Sequence, residues 1–129
     1  MIVLDTHALI WWQSEPKRLG KKAARALKSA KRVGVPAICL WEFAMLASKG
    51  RIKLDRTALE WLNEALEQPQ VQLLPLTPSV AAQSARLPST FHGDPADRLV
   101  VSTALVEAAP LLSADGRLDD VQGLELIWD

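Results

Sequence analysis

The chain has 129 residues, with 15 Lys/Arg balanced by 15 Asp/Glu and 49% hydrophobic side chains. That length and balance predict a single globular domain, residues 1–129, burying roughly two-thirds of its unfolded surface without help from disulfides. The lone Cys39 has no Cys or His partner at zinc spacing, no basic leader precedes the first apolar stretch, and no apolar run reaches the ~18 residues that span a bilayer. These features exclude a disulfide scaffold and a thiolate zinc site, and predict a soluble, cytoplasmic protein with no membrane partner.

Strands and helices alternate along the chain. Ile2 to Leu4 reads as a short buried strand and Ala8 to Trp12 as one or two helical turns. A helix follows from Leu19 to Lys31, with Ala23, Ala26, Leu27 and Ala30 at helical spacing. Val33 to Ile38 is a second buried strand, and Leu40 to Lys49 a helix closed by Gly50. Asp55 is placed to cap a helix with Leu59, Leu62 and Leu66 on one face, and Val71 to Leu76 is a third strand. Thr77-Pro78 and Asp94-Pro95 each put a cap before a proline at the first helical position, the second opening a helix through Glu107. Leu111 to Ser113 and Leu124 to Ile127 complete the strands. This order predicts an α/β fold in three layers, with a mostly parallel central sheet of four to five strands.

Four carboxylates stand where an apolar segment ends or a helix begins: Asp5, Glu42, Asp97 and Asp115. Asp5 and Asp115 follow strands, while Glu42 and Asp97 are expected in the first turns of helices. In an open parallel sheet all four converge on the carboxyl edge, where ligands bind. Oxygen ligands without a Cys or His pair point to Mg2+ or Mn2+. Each acid has a plainer reading as well. Asp94 and Asp97 resemble a cap and a first-turn acid, Glu42 a first-turn acid, and Asp115-Gly116 turn chemistry. His7 is read as a local hydrogen-bonding side chain rather than a general base, and His92 is assigned no role.

Charge is distributed unevenly. Residues 1–56 carry 12 of the 15 basic side chains and 4 of the 15 acids. Lys17, Arg18, Lys21, Lys22, Arg25, Lys28, Lys31 and Arg32 form one run without an acid, and Lys49, Arg51, Lys53 and Arg56 a second group. Such residues commonly form a solvated face. Beside a cluster of carboxylates they also offset its repulsion of a polyanion.

At LDTHALIWW, AICLWEFAMLASKGRI, HGDPADRLVVSTA and LLSADGRL the chain resembles the PIN-domain ribonucleases, and within them the VapC-like toxins of type II toxin–antitoxin pairs. The resemblance implies a PIN-like fold and a Mg2+- or Mn2+-dependent endoribonuclease that inhibits translation and growth. It places the acidic quartet on Asp5, Glu42, Asp97 and Asp115, with Asp94 as an accessory acid. The implied partners are RNA, a cognate antitoxin that links the complex to DNA, and a second copy of the chain. His7, Cys39 and Ser113 stand where many members have Asn, a Ser or Thr cap, and Thr. Two other readings stay open: a phosphotransfer or receiver domain, which lacks its second acid and late lysine here, and a catalytically silent PIN-like module binding RNA or protein. Trp11, Trp12, Trp61 and Trp128 are candidates for the core or for an interface.

Overall fold

The computed structural model describes residues 1–91 and 93–128, so His92 lies outside the described residues. Its core is a sheet of five parallel strands in the order β3-β2-β1-β4-β5. These are β1 (Ile2–Leu4), β2 (Val33–Pro36), β3 (Val71–Leu74), β4 (Leu111–Leu112) and β5 (Leu126–Ile127). Every residue of β1, β2 and β4 is buried, so the centre of the sheet is covered on both faces. The helices that cover it are α1 (Thr6–Ser14), α2 (Lys21–Ser29), α3 (Ala37–Ser48), α4 (Ala58–Glu67), α5 (Pro78–Arg86) and α6 (Pro95–Glu107).

The strand order positions the functional edge. From β1 the chain steps outward to β2 and β3, then returns through α5 and α6 to β4 on the other side of β1. The connections after β1 and β4 therefore diverge, leaving a crevice at the carboxyl ends of these two strands. Leu4 pairs with Leu112, so Asp5 and Ser113 emerge level with each other, and the Asp5 N–H donates to the Leu112 carbonyl at 3.3 Å.

Several helix starts differ from the sequence expectation. α3 begins directly after Pro36, three residues before the expected start, because pairing of β2 with β3 stops at Pro36 and Leu74. Glu42 is thus in the second turn of α3, not the first, and Cys39 is an interior helical residue whose thiol donates to the Leu4 carbonyl at 3.8 Å. Burial pushes the Cys39 thiol far up, which keeps it protonated and structural.

Thr57, not Asp55, caps α4, in a reciprocal capping box with Glu60, while Asp55 pairs with Arg56 at 2.7 Å. The buried face of α4 is Trp61 and Ala65, and Leu59, read on one face with Leu62 and Leu66, is 69% exposed. The reason is Trp61. Its ring stacks on Phe43 at 4.1 Å between centroids, and its indole N–H donates to the Ser14 hydroxyl at 3.0 Å. Those contacts set the helix's rotation about its axis and turn Leu59 outward.

Thr77 and Asp94 cap α5 and α6 as expected, and Gly50 takes the left-handed conformation after α3, with φ of 69°. At the end of α6 the same role falls to Ala108, with φ of 51°. No helix is long and apolar enough to cross a membrane among the described residues.

Candidate active site

Each acid at the carboxyl edge is held by a different local device. Asp5 is the cap of α1, its Oδ1 accepting the Ala8 N–H at 2.8 Å. The Ser113 hydroxyl also hydrogen-bonds the Asp5 carboxylate while accepting the Asp115 backbone N–H at 3.1 Å, so one fully buried hydroxyl ties the Asp5 carboxylate to the backbone at Asp115. Glu42 comes from the far side of the crevice on α3, and its Oε1 accepts the hydroxyl of the buried Thr6. Asp94 caps α6 by accepting the Asp97 N–H at 2.9 Å, and Asp97 lies in the first turn of that helix.

Asp115 caps a short 3-10 helix, Gly116–Asp120, and is gripped by Arg117. The guanidinium donates from Nε to Oδ1 at 2.9 Å and from Nη2 to Oδ2 at 3.0 Å, a bidentate pair. The hydrogen bonds to Asp115 hold the Arg117 guanidinium charged even beyond its ordinary range, with Asp97 adding to the effect.

Together Asp5, Glu42, Asp94, Asp97 and Asp115 line one cleft of about 380 Å³, joined by His7, Ser113 and Arg117. Burial pushes the Asp5 carboxyl up, and nearby Glu42 adds to the shift; Ser113, the Ala8 N–H and His7 offset only part of it. A desolvated carboxylate among other acids favours either a proton or a metal cation.

The donor set fits Mg2+ or Mn2+, being all oxygen and mostly carboxylate. Among the described residues no three acids or imidazoles stand close enough to enclose an ion. The hydrogen bonds just described explain the spread, since Thr6, Arg117 and the two helix N-termini each hold an acid in place.

The basic residues separate into different surroundings. Arg18, Arg51 and Lys53 line a hollow of about 630 Å³ with Trp11 and His7, and the exposed His7 also borders the acid cleft. Arg18 lies over the Trp11 ring at 4.5 Å and pairs with Glu15 at 3.4 Å. Lys28 lines another hollow, with Trp12 and Gln70. Lys17, Lys21, Lys22, Arg25, Lys31, Arg32 and Lys49 are exposed, and Arg56 is engaged by Asp55 and Glu64. Of the tryptophans, Trp61 is core, Trp11, Trp12 and Trp128 are half-buried, and Trp41 is 56% exposed.

Sequence reasoning missed Arg117 and Thr6 as parts of the site. The only signal for Arg117 was its place two residues after an acid in an Asp-Gly turn, and for Thr6 its place beside Asp5.

A family profile for the PIN domain matches residues 2–124. The chain belongs to the PIN-domain family. It is 43% identical to Ribonuclease VapC22 of Mycobacterium tuberculosis over 117 residues, 91% of this chain and 88% of that protein, which places it in the VapC branch. Solved structures agree on the fold. The VapBC2 complex of Rickettsia felis bound to a promoter DNA fragment contains a chain matched at a TM-score of 0.78 and 18% identity, covering 100% of both chains. FitAcB of Neisseria gonorrhoeae matches at 0.66 and 24%, covering 98% of this chain and 96% of that one. VapBC-5 of Mycobacterium tuberculosis matches at 0.64 and 21%, covering 98% and 97%.

Proposed function

We propose that this PIN domain, spanning residues 1–129, is a Mg2+- or Mn2+-dependent endoribonuclease, the toxin of a toxin–antitoxin pair that acts in the cytoplasm to stop translation and growth. The observation that carries the reading is that Asp5, Glu42, Asp94, Asp97 and Asp115, brought from four separate parts of the chain, line one cleft at the topological switch point. The 43% identity to a ribonuclease of the VapC branch supports the choice of RNA.

Asp5, Glu42, Asp97 and Asp115 would hold the cation, with Asp94 supporting Asp97 through the cap. A bound Mg2+ or Mn2+ supplies an acidified water and neutralises charge on the phosphoryl oxygens. The protein's own groups do the positioning. Ser113 fixes Asp5 against Asp115, Thr6 fixes Glu42, and Arg117 presents a cation at the cleft, where an RNA phosphate would compete with Asp115 for it.

The hydroxyls near the cleft have other work. Thr103 donates to the Leu99 carbonyl at 2.7 Å, Ser113 serves the two acids, and Ser102 is fully buried. None is paired with a histidine among the described residues, so a triad-type hydroxyl nucleophile is not supported, and by analogy with the PIN-domain ribonucleases the attacking group is water rather than the RNA 2′-hydroxyl. The products are then a 5′-phosphate and a 3′-hydroxyl.

Arg18, Arg51 and Lys53 share a hollow with His7, which also borders the acid cleft, and so offer RNA a cationic approach to it. Among solved structures of this fold are a toxin–antitoxin complex of Klebsiella pneumoniae, a member of the VapBC toxin–antitoxin family, and VapBC2 bound to promoter DNA. By analogy this chain binds a cognate antitoxin, contacts DNA only through it, and forms a homodimer.

Incubation of the purified chain with total RNA in Mg2+ or Mn2+ tests the reading. Cleavage that stops with EDTA and is lost in Asp97→Asn is expected. RNA left intact by the wild-type chain in either metal, or cleaved equally by Asp97→Asn, would refute it.

A further inference from the structure

A hollow of about 720 Å³ lies beside the acid cleft, and the mechanism leaves it unused. Arg117 lines both, so a phosphate held at the cleft and a group in the hollow would share one guanidinium. The walls are mixed. Buried Leu87 and the half-buried ring of Phe91 supply apolar surface, while Gln83, Gln122 and Arg86 supply amide and guanidinium groups. That volume falls within the range of small-molecule sites, roughly 300–1,000 Å³, whose apolar walls commonly carry a few placed polar groups.

Phe91 is held in position from two sides. Arg98 lies over its ring at 5.4 Å and is anchored by donating to the Ser84 carbonyl at 3.3 Å. Gly93 fits between the Phe91 ring and Asp97 so closely that a Cβ there would come within 2.5 Å of each. The ring of the hollow and an acid of the cleft are therefore in register across a single glycine.

We infer that this hollow is a nucleobase subsite, which takes the unpaired base of the nucleotide next to the scissile phosphate. The inference rests on the ribonuclease reading. An aromatic ring with amide groups around it matches how single-stranded RNA is read, by stacking a splayed base and hydrogen-bonding its edge. Amides present donor and acceptor together, as adenine does, and a guanidinium matches the paired acceptors of guanine. The hollow consequently reads a base where Arg18, Arg51 and Lys53 contact only backbone.

The test is titration of the isotopically labelled full-length chain with each of the four nucleoside 5′-monophosphates, followed by NMR, together with cleavage of RNAs varied at the positions flanking the cut. One nucleotide should bind tighter than the other three and shift the Gln83 and Gln122 side-chain amides. Phe91→Leu, which keeps apolar bulk without the ring face, should weaken it about tenfold, and Phe91→Tyr should restore it. The same base should be preferred at one flanking position, and Gln83→Ala should flatten that preference.

Four nucleotides binding equally, shifts confined to the acid cleft, or Phe91→Leu binding like wild type would each overturn the subsite. So would a Phe91→Leu variant that sediments as a monomer with nucleotide binding unchanged, which would make the hollow a seam between two copies. A wild-type chain that binds a nucleotide here yet cuts no RNA would overturn the nuclease reading and leave the pocket. One that cuts RNA at equal rates whatever the flanking base would do the reverse.

Discussion

Replacing Asp5 by asparagine separates what this carboxylate does for the reaction from what it does to the fold. Burial, with Glu42 nearby, holds the Asp5 carboxyl above its ordinary value of 3.8. The folded protein therefore keeps this proton more tightly than the unfolded chain. Below pH 3.8 both states are protonated and the side chain does not disfavour folding. As pH rises past that value the unfolded chain ionises first and stability falls, and above the folded pKa the full penalty remains.

Asparagine keeps the cap on the Ala8 N–H and removes the charge, though it forgoes ~0.3–1 kcal/mol of attraction to the helix dipole. At neutral pH without metal the variant should therefore melt above wild type, each kcal/mol gained raising Tm by roughly 3–5 °C in a chain of this size. The gain should shrink as pH is lowered toward 3.8. Mn2+ should reverse the order, since a hundredfold excess over Kd stabilises the wild type by ~2.7 kcal/mol while the variant has lost a ligand. Calorimetric melts with EDTA and with Mn2+, over about pH 4 to 8, read both effects, and a cleavage assay on the same samples should show activity abolished. An Asn variant that melts below wild type in EDTA at neutral pH, or gains as much from Mn2+, would refute the reasoning.

Asp94→Asn should cleave RNA far better than Asp97→Asn, because it keeps the acceptor for the Asp97 N–H, whereas Asp94→Ala should lower stability by about 1 kcal/mol in denaturant titration. Arg117→Ala should tighten Mn2+ binding in calorimetric titration by removing a cation that competes for Asp115, yet slow cleavage; weaker Mn2+ binding would contradict that role. Reversing Arg18, Arg51 and Lys53 to Glu should flatten the slope of log affinity against log salt for single-stranded RNA by about 2, at ~0.7 per phosphate contact. If reversing Lys21, Lys22, Arg25 and Lys28 flattens it more, RNA approaches across α2. Ala108→Gly should raise thermal stability by about 1 kcal/mol, since glycine takes the left-handed conformation at the end of α6 without a Cβ clash.

Alternation of strands and helices, the caps at Thr77 and Asp94, and the acids at strand ends were legible in the sequence because each is set by neighbours a few residues away. Burial of β1 and β4 on both faces follows from runs of Ile, Val and Leu, and a carboxylate after such a run has only the strand's end to occupy. Contacts between distant segments decided the rest. Pairing of β2 with β3 ended the strand at Pro36 and moved Glu42 into a second helical turn, where Thr6, distant in sequence, could hold it. The stack of Trp61 on Phe43 rotated α4 and exposed Leu59, whereas the Thr57 cap rests on its local capping box with Glu60. Surface charges carry no periodic signal that says which crevice they face. Only the fold could place Arg18, Arg51 and Lys53 beside His7, and set Arg117 between the acids and the hollow next to them.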